Sequence, residues 1–450
     1  MFQSINPYNQ QIIHSFKPET KEAVDHKLAL SHKAFLSWRT LSIDQRATYI
    51  STIGNNIQRD REMLARSISL EMGKPIQEAL AEVDKSAMAC QYFAEQGPTL
   101  LSDTPIESDA QKAFIHYSPI GAVLGIMPWN FPVWQVIRYA IPSLIGGNVV
   151  LLKHAPNVCQ TALLLEKLLN NSGLPAGVFQ TLIINTDLVE GIIAHDHVQG
   201  ITLTGSEYAG SQVASLAGKH IKKSVLELGG SDPFIVLQDA DLKQAAVVAV
   251  QSRMQNAGQS CIAAKRFLVN KSVEDEFMHL FLAEVKNLRY GDPLKESTNL
   301  GPLARIDLAQ KLEKQVMDSV KQGAQLLMPF ERNNCQVLPN VLTQVKPGMP
   351  AFDEEIFGPV ATVLSVRDDE EAIRLANQTR YGLGASIWSK DIEHATRLAT
   401  QIEAGSVYIN KLMRSNVRFP FGGIKKAGYG RELGEAGVKE FMNTKTIVVN

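Results

Sequence analysis

The sequence has few cysteines, and the four it contains lie far apart, at positions 90, 159, 261 and 335 of 450 residues. None stands in a C-x-x-C pair, so neither a disulfide framework nor a zinc site of the usual spacing is predicted. An excess of charge is also missing, because 45 basic residues face 46 acidic ones and the formal net charge is -1. This balance provides no basic field for nucleic acid.

Long apolar runs are absent as well. The longest, residues 140–152, is interrupted by proline, serine, glycine and asparagine, and it falls short of the ~20 residues that cross a bilayer. The first residues show no basic segment followed by an apolar one, so no export signal is predicted. We therefore expect a cytoplasmic protein without membrane or nucleic-acid partners. Its 450 residues exceed the size of one hydrophobic core, which predicts two or three domains.

From residue 121 onward, short apolar runs alternate with helical patterns. The runs occupy residues 121–127, 149–153, 178–184 and 200–204. Repeated β-α-β units predict an α/β fold with a doubly wound parallel sheet, which binds a ligand at the carboxyl ends of its strands. A second α/β unit is predicted to begin near residue 230.

The first hundred residues predict a helical scaffold. A helix is expected over residues 18–38, and a second begins at Ser42, where Ser42 and Gln45 have capping-box spacing. Residues 99–119 are first rich in turn formers and then alternate between polar and apolar, which is typical of a β-hairpin. On the residues alone, an ordinary edge hairpin is the favoured interpretation.

One cysteine lies where a nucleophile could act. Cys261 ends a loop rich in Gly, Gln and Ser (residues 256–261), between a helical and a strand-like segment. Lone cysteines are mostly buried and inert, so its companions matter. Glu227 ends an apolar strand at a glycine turn, and Asn130 follows another apolar run. A buried carboxylate can accept a proton and an amide can stabilise an oxyanion, although a capping Glu227 and a turn-forming Asn130 remain open.

These segments together resemble the aldehyde dehydrogenase superfamily. The shared motifs are Pro-Trp-Asn-Phe-Pro at 128–132, Glu-Leu-Gly-Gly at 227–230, Gly-Gln-x-Cys at 258–261, Glu-Ile-Phe-Gly-Pro at 355–359 and Pro-Phe-Gly-Gly at 420–423. They occur in the family's order and span nearly the whole chain. Within the family, the segments around Lys153, Glu227 and Cys261 are similar to the short bacterial NAD(P)-dependent succinate-semialdehyde dehydrogenases.

The resemblance implies a dinucleotide-binding domain, a second α/β catalytic domain and a small β oligomerisation arm. The predicted limits are 1–98 with 120–228 for the first, 229–425 for the second, 99–119 with 444–450 for the arm, and 426–443 for a segment returning to the first domain. Because the family hairpin pairs with another subunit, the resemblance also implies a homodimer or homotetramer.

The resemblance further implies a reaction at Cys261. Its thiolate attacks an aldehyde, and the oxyanion of the thiohemiacetal is held by the Asn130 amide and the Cys261 backbone N–H. Hydride leaves to a nicotinamide, and Glu227 activates the water that hydrolyses the remaining thioester. No metal is required by this chemistry, and none is predicted.

The predicted cofactor is NAD or NADP. A G-x-G-x-x-G fingerprint is missing, but residues 204–210 lead from a strand into a helix whose free amides suit a phosphate. The resemblance assigns to the cofactor Ile126, Met127, Pro128, Trp129, Lys153, Gly205, Ser206, Leu228, Glu355 and Phe357. Many NAD enzymes carry a glutamate three residues after this lysine, which repels a 2′-phosphate. This chain has Pro156 there, so we predict that both cofactors are accepted.

The predicted substrate is succinate semialdehyde. Arg138 and Ser415 stand where succinate-semialdehyde dehydrogenases bind the substrate carboxylate, and a guanidinium and a hydroxyl suit an anionic tail. A further arginine of that clamp is Gln255 here, and Arg138 is equally typical of an ordinary salt bridge. The candidates that could compensate are Lys411, Arg414 and Arg418.

Three other functions stay open. One is a dehydrogenase for medium-chain or aromatic aldehydes. Another is acyl transfer to coenzyme A, against which the retained Glu227 argues. The third is a non-catalytic nucleotide-binding scaffold, which the presence of Cys261, Glu227 and Asn130 disfavours. Ala263, two residues after Cys261, provides no second thiol for an adjacent disulfide.

Overall fold

The computed structural model describes residues 1–450, and its first part is mostly helical, as predicted. Its elements are β1 (Phe2–Ile5), β2 (Ile12–Phe16), α1 (Lys21–Trp38), α2 (Ile43–Arg59), α3 (Arg61–Met72), α4 (Ile76–Leu100), β3 (Thr104–Pro105) and β4 (Lys112–Pro119). The capping box at the start of α2 is present: Ser42 Oγ accepts the Gln45 N–H, and the Gln45 side chain accepts the Ser42 N–H. These two bonds satisfy donors that the first turn of a helix leaves free.

A doubly wound sheet follows, and this prediction is confirmed. Its elements are β5 (Ala122–Met127), α5 (Trp134–Ile145), β6 (Val149–His154), α6 (Cys159–Asn171), β7 (Phe179–Thr181), α7 (Val189–Ala194), β8 (Val198–Thr204), α8 (Glu207–Lys219) and β9 (Lys223–Glu227). The strands lie parallel in the order β9-β8-β5-β6-β7. The chain therefore changes direction across the sheet beside β5, and ligands bind at the carboxyl end of such a switch point.

A second, seven-stranded sheet is built from the next part of the chain. Its region contains β10 (Asp232–Val236), α9 (Leu242–Met254), β11 (Ala264–Asn270), α10 (Glu274–Lys286), α11 (Ile306–Lys321), β12 (Gln325–Leu326), β13 (Arg332–Asn333), β14 (Gln336–Val337), β15 (Asn340–Thr343), α12 (Pro350–Asp353), β16 (Val360–Val366), α13 (Asp369–Asn377), β17 (Gly384–Trp388), α14 (Ile392–Ala399) and β18 (Ser406–Ile409). The strand order is β12-β15-β16-β11-β10-β17-β18, and only β12 runs antiparallel to its neighbour. Apolar clusters cover both faces of this sheet, which parallel strands require.

The last residues return to earlier parts of the chain. They form β19 (Gly428–Tyr429), α15 (Gly434–Glu440) and β20 (Met442–Val449). The first of these strands adds antiparallel to β9, and β20 pairs with β4 along its whole length in a three-stranded sheet that also contains β3. Strand β20 begins two residues before the predicted arm limit of 444, and α4 continues to Leu100, past the predicted domain limit at 98. The domain limits and the pairing between subunits stay predictions.

No helix combines the length and the apolar sequence that a membrane span requires. No group of three or more His, Cys, Asp or Glu side chains is arranged to hold a metal ion.

The strand that leads to Asn130 depends on a close contact. A Cβ added at Gly125 in β5 would come 2.0 Å from Cζ of the buried Tyr139 on α5. The ring would have to move, and such overpacking costs about 1–3 kcal/mol. We therefore expect Gly125→Ala to lower the midpoint of unfolding in urea, followed by circular dichroism.

Gly191 in α7 provides the matched control, because a Cβ added there meets nothing within 4 Å. Gly191→Ala should leave the midpoint unchanged or raise it, since alanine favours a helix over glycine by about 1 kcal/mol. A Gly125→Ala protein as stable as the wild type would contradict this packing.

Candidate active site

The loop that carries Cys261 has an unusual backbone. Asn256, Ala257 and Gly258 all have positive φ, at 55°, 52° and 74°, and residues other than glycine seldom adopt this region. A Cβ at Gly258 would come 2.2 Å from the carbonyl oxygen of Gly358, so only glycine fits at this crossing. Strain of this kind persists where surrounding structure enforces it, often at functional sites.

Two fully buried cations hold the carbonyls of this loop. Lys265 Nζ donates to the carbonyl oxygens of Ser260 (2.8 Å) and Cys261 (2.6 Å). The Arg253 guanidinium donates to the carbonyl oxygen of Gly258 (2.6 Å). Both cations are completely shielded from solvent, and charge-assisted hydrogen bonds are stronger than neutral ones. The backbone of Cys261 is therefore fixed. No motif in the sequence marked either cation.

Cys261 is half-buried, whereas the other three cysteines are fully buried, and it lines a cavity of about 730 Å³. Burial among the surrounding atoms raises the pKa of the Cys261 thiol to about 11, although the positive charges of Lys265 and Arg138 act in the opposite direction. The thiol therefore carries its proton at neutral pH. Because the thiolate is the nucleophile, attack by Cys261 requires removal of that proton.

Asn130 lies against the cysteine loop. It follows β5, and its Nδ2 donates to the carbonyl oxygen of Gln259 (3.1 Å). The backbone carbonyl oxygen of Asn130 accepts from Lys74 Nζ (2.9 Å) and from Asn256 Nδ2 (2.8 Å). One N–H of the Asn130 amide is thus committed to the loop, while an amide nitrogen carries two. A fixed amide with a donor to spare, next to the cysteine, is able to hold an oxyanion.

Glu227 is buried at the end of β9, with 2% of its surface exposed. Neither of its carboxylate oxygens has a hydrogen-bond partner, which is rare for buried polar atoms. Burial raises the pKa of Glu227 well above its usual range, against the opposing charge of Arg138. A carboxylate with a raised pKa suits the role of a general base at neutral pH. Glu227 and Asn130 do not line the cavity themselves.

The nicotinamide candidates meet at the junction of the two sheets. The rings of Trp129 and Phe357 lie edge to face, with centroids 6.0 Å apart. Glu355 Oε1 accepts the Gly230 N–H (3.1 Å) and lies 3.4 Å from the Lys265 ammonium. The cysteine loop is therefore joined to this group through Lys265.

The adenosine candidates lie at the carboxyl ends of β6 and β8. Lys153 is buried, which lowers its pKa, and Pro156 beyond it is exposed. Ser206 caps α8 by accepting the Ala209 N–H. A Cβ at Gly205 would meet only Leu203, at 3.5 Å, so protein atoms leave the space over this glycine open. This edge of the sheet fits a dinucleotide. The remaining candidates, on β5 and after β5 and β9, are Ile126, Met127, Pro128 and Leu228.

All three substrate candidates, Arg138, Gln255 and Ser415, line the same cavity as Cys261. None of the cofactor candidates does. Arg138 is buried, its Nε forms an ion pair with Glu432, and its Nη2 donates to Thr204 Oγ1 (3.1 Å). The salt bridge that the sequence left open for Arg138 is therefore present on the cavity wall. Cys261 thus lies between a cavity and the edge that fits a dinucleotide.

The loop after β18 contributes two arginines to the cavity lining. A lysine that sequence reasoning missed also lines the cavity. Arg414 and Arg418 line the cavity, whereas Lys411 does not. Lys85, on α4, also lines it, and its Nζ donates to Ser415 Oγ (2.7 Å). No sequence motif includes Lys85, because the helix that carries it lies far from every loop with recognisable chemistry.

A cysteine fixed between a cavity and the switch point of a doubly wound sheet is the arrangement of an α/β enzyme that reacts through sulfur. Comparison with known families matches residues 1–447 to the aldehyde dehydrogenase family. The chain belongs to this family, as its motifs predicted.

Individual relatives agree over the full length. A probable succinate-semialdehyde dehydrogenase [NADP(+)] of Synechocystis sp. is 45% identical over 447 residues, which cover 99% of this chain and 98% of the relative. The succinate semialdehyde dehydrogenase [NAD(P)+] of Escherichia coli is 43% identical, with 99% and 97% covered. The crystal structure of succinic semialdehyde dehydrogenase from Streptococcus pyogenes in complex with NADP+ superposes with a TM-score of 0.97 at 37% identity, over 100% of both chains.

The raised pKa of Cys261 predicts how the free enzyme reacts with an alkylating reagent. Below a pKa of about 11, the thiolate fraction grows roughly tenfold per pH unit. We expect the rate of inactivation by iodoacetamide, without cofactor, to rise roughly tenfold per pH unit, or about a hundredfold between about pH 7 and 9. Mass spectrometry should find the label on Cys261, whereas the buried cysteines, Cys90, Cys159 and Cys335, stay unlabelled in the folded protein.

Cys261→Ala is the control for this experiment and should show no label in the native state. An inactivation rate that is already constant near neutral pH would contradict the raised pKa.

Proposed function

We propose that the protein oxidises succinate semialdehyde to succinate, with NAD or NADP as oxidant and water as acyl acceptor. The observation that carries the proposal is the cavity, which Cys261 lines together with Arg138 and Ser415. A nucleophile facing a guanidinium and a hydroxyl suits a short aldehyde with a carboxylate at its other end. The names of the Synechocystis and Escherichia coli relatives support the same substrate.

The first half of the reaction uses Cys261 and two hydrogen-bond donors. The Cys261 thiol first gives up its proton to solvent water. The thiolate sulfur then bonds to the aldehyde carbon, and the carbonyl oxygen takes the negative charge. That oxygen accepts from the Asn130 amide and from the Cys261 N–H, which makes no hydrogen bond within the protein. Bound NAD or NADP supplies the acceptor for the hydride that the adduct carbon then loses.

The second half depends on Glu227. Loss of hydride leaves a thioester between the acyl group and Cys261. Glu227 takes a proton from water as the water oxygen bonds to the acyl carbon, and the sulfur leaves as a thiolate. Its lack of any hydrogen-bond partner leaves both oxygens free for this water. The products are the carboxylic acid and a cysteine ready for the next aldehyde.

The residues after β6 support a role for either cofactor. Lys153 lies near the carboxyl end of β6, where we expect the adenosine ribose, and the exposed Pro156 follows where a carboxylate would repel a 2′-phosphate. The two relatives are named for NADP(+) and NAD(P)+, and the streptococcal enzyme was solved with NADP+. Together these observations support acceptance of both dinucleotides.

We also infer that the protein works in the cytoplasm and that it forms a homodimer or homotetramer. The feature that supports self-association is the three-stranded sheet, in which β20 has only one neighbour, β4. Its residues Val448 and Val449 are 58% and 43% exposed. An edge strand with apolar exposed side chains is suited to pairing with another chain.

The substrate proposal predicts the outcome of an aldehyde panel. Succinate semialdehyde, glutarate semialdehyde, hexanal and benzaldehyde are compared with each cofactor by the absorbance of the reduced nicotinamide. Hydrogen bonds to charged groups contribute about 1.5–3 kcal/mol, so kcat/KM for succinate semialdehyde should exceed that for hexanal by roughly tenfold or more. NADP should support turnover. A large preference for hexanal would show that the cavity does not select an anionic tail.

The role of Glu227 predicts a separation of the two halves of the reaction. In Glu227→Gln, each active site should form one equivalent of reduced cofactor and then stall, because the thioester forms but is not hydrolysed. Steady-state turnover should fall by roughly 10²-fold or more, the usual contribution of a general base. Rapid-mixing absorbance measures the burst, and mass spectrometry measures the acyl group on Cys261.

Cys261→Ala is the control and should give neither burst nor turnover. Normal steady-state turnover by Glu227→Gln would remove this carboxylate from the mechanism.

A further inference from the structure

One face of α4 forms part of the cavity that contains Cys261. The residues of this helix that line the cavity are Gln77, Glu78, Ala81, Glu82, Lys85 and Met88. Their spacing of three or four residues is that of one helical face. Lys85 is the only cation among them, and it is the feature of this wall that the proposed function leaves without a role.

Lys85 has a well-defined position but no anionic partner. Its Nζ donates to Ser415 Oγ (2.7 Å) and lies 3.9 Å from the centre of the Trp134 ring. No carboxylate oxygen lies within 4.0 Å of it, in contrast to Lys74 on the approach to the same helix, which pairs with Glu82. An ammonium that is largely enclosed by protein and unpaired is costly unless an anion joins it.

The acidic residues on the same wall are already engaged. Glu82 pairs with Lys74 and accepts the N–H groups of Val133 and Trp134. Glu78 accepts the Asn256 N–H (2.7 Å), and burial raises its pKa to about 7. Neither carboxylate is hydrogen-bonded to Lys85, so the positive charge of Lys85 is available to an anion bound in the cavity.

The other candidate cations are less suited to meet a carboxylate. Arg138 is paired with Glu432 and bonded to Thr204, so most of its charge is already offset. Gln255 is neutral. Arg414 and Arg418 are exposed, and water weakens their attraction for an anion.

We propose that Lys85, together with Ser415, binds the carboxylate of the substrate and selects aldehydes with an anionic tail. The inference rests on the proposed function and adds the residue that carries the selectivity. The Lys85 ammonium supplies the charge that Gln255 lacks, the Ser415 hydroxyl supplies a second donor, and the Trp134 ring holds the ammonium in place.

The positive charge of Arg138 acts on both Lys85 and the Cys261 thiol. Burial lowers the pKa of Lys85 to about 7, with smaller contributions from the positive charges of Arg138, Arg414 and Lys74 and an opposing one from Glu82. The charge of Arg138 also acts on the Cys261 thiol. A carboxylate bound beside Lys85 would restore its proton, since an opposite charge favours the charged form.

The test compares two aldehydes of equal length, one with and one without a carboxylate. kcat/KM is measured for succinate semialdehyde and butanal in the wild type, Lys85→Met, Lys85→Arg and Arg418→Gln. Methionine keeps the length of lysine without its charge. We expect the ratio of the two kcat/KM values to fall about tenfold or more in Lys85→Met, in line with loss of a charge-assisted hydrogen bond.

The two other variants are matched controls. Lys85→Arg keeps the charge, so its ratio should stay within about threefold of the wild type, and Arg418→Gln removes an exposed cation from the same cavity, with an expected change below about threefold. A Lys85→Met ratio equal to that of the wild type overturns the inference alone. A wild type without preference for succinate semialdehyde over butanal overturns the proposed function as well.

The pH dependence of the same ratio provides a second readout. As the pH rises through about 7, Lys85 loses its proton and kcat/KM for succinate semialdehyde should fall relative to that for butanal. Ionisation of Cys261 and Glu227 affects both aldehydes alike, so it cancels in the ratio. Glu78 lines the same cavity and also has a raised pKa, at about 7, so the measurement is repeated in Lys85→Arg, which keeps its charge over this range and should show no such fall. A ratio that is constant from about pH 6 to 9 would overturn the inference.

Discussion

The hydrogen bonds from the buried Lys265 ammonium to the carbonyls of Ser260 and Cys261 are the interaction on which the rest of the site depends. An ammonium removed from water is stable only when acceptors replace its hydration. Here two carbonyls and the nearby Glu355 carboxylate do so. Because Cys261 faces the cavity and Glu355 faces the dinucleotide edge, one cation fixes the nucleophile relative to both.

The end of the chain completes the surroundings of the general base. Glu432, just after β19, pairs with Arg138 and accepts the Thr202 hydroxyl (3.0 Å). Both Arg138 and Glu432 act on the pKa of Glu227, after the larger effect of burial. The balance of charge around Glu227 therefore depends on a segment about 200 residues away, which explains why the local sequence says little about its proton affinity.

Much of the fold could be predicted because its signals are local. The alternation of apolar runs with helical patterns indicated the doubly wound sheet, and the spacing of Ser42 and Gln45 indicated the start of α2. Cys261, Glu227 and Asn130 stood out because they lie in loops or at strand ends with recognisable motifs.

The remaining parts of the site depend on contacts between distant residues. Lys85 belongs to a helix in which lysine normally faces water, and its bond to Ser415 spans 330 positions. Lys265 lies in β11, where nothing local distinguishes it from a surface lysine. The ion pair of Arg138 joins α5 to the end of the chain. Such pairings are set by tertiary packing, so residue spacing does not indicate them.

The position of the last strands has a consequence for how the protein is made. The first sheet is completed by β19, and the three-stranded sheet cannot form without β20, whose partner β4 was synthesised more than 300 residues earlier. Domains generally begin to fold while synthesis continues, from the N-terminal side. Here the edge of β4 that pairs with β20 stays unpaired until the residues of β20 have left the ribosome. A nascent chain of this protein therefore exposes a β-edge throughout most of its translation.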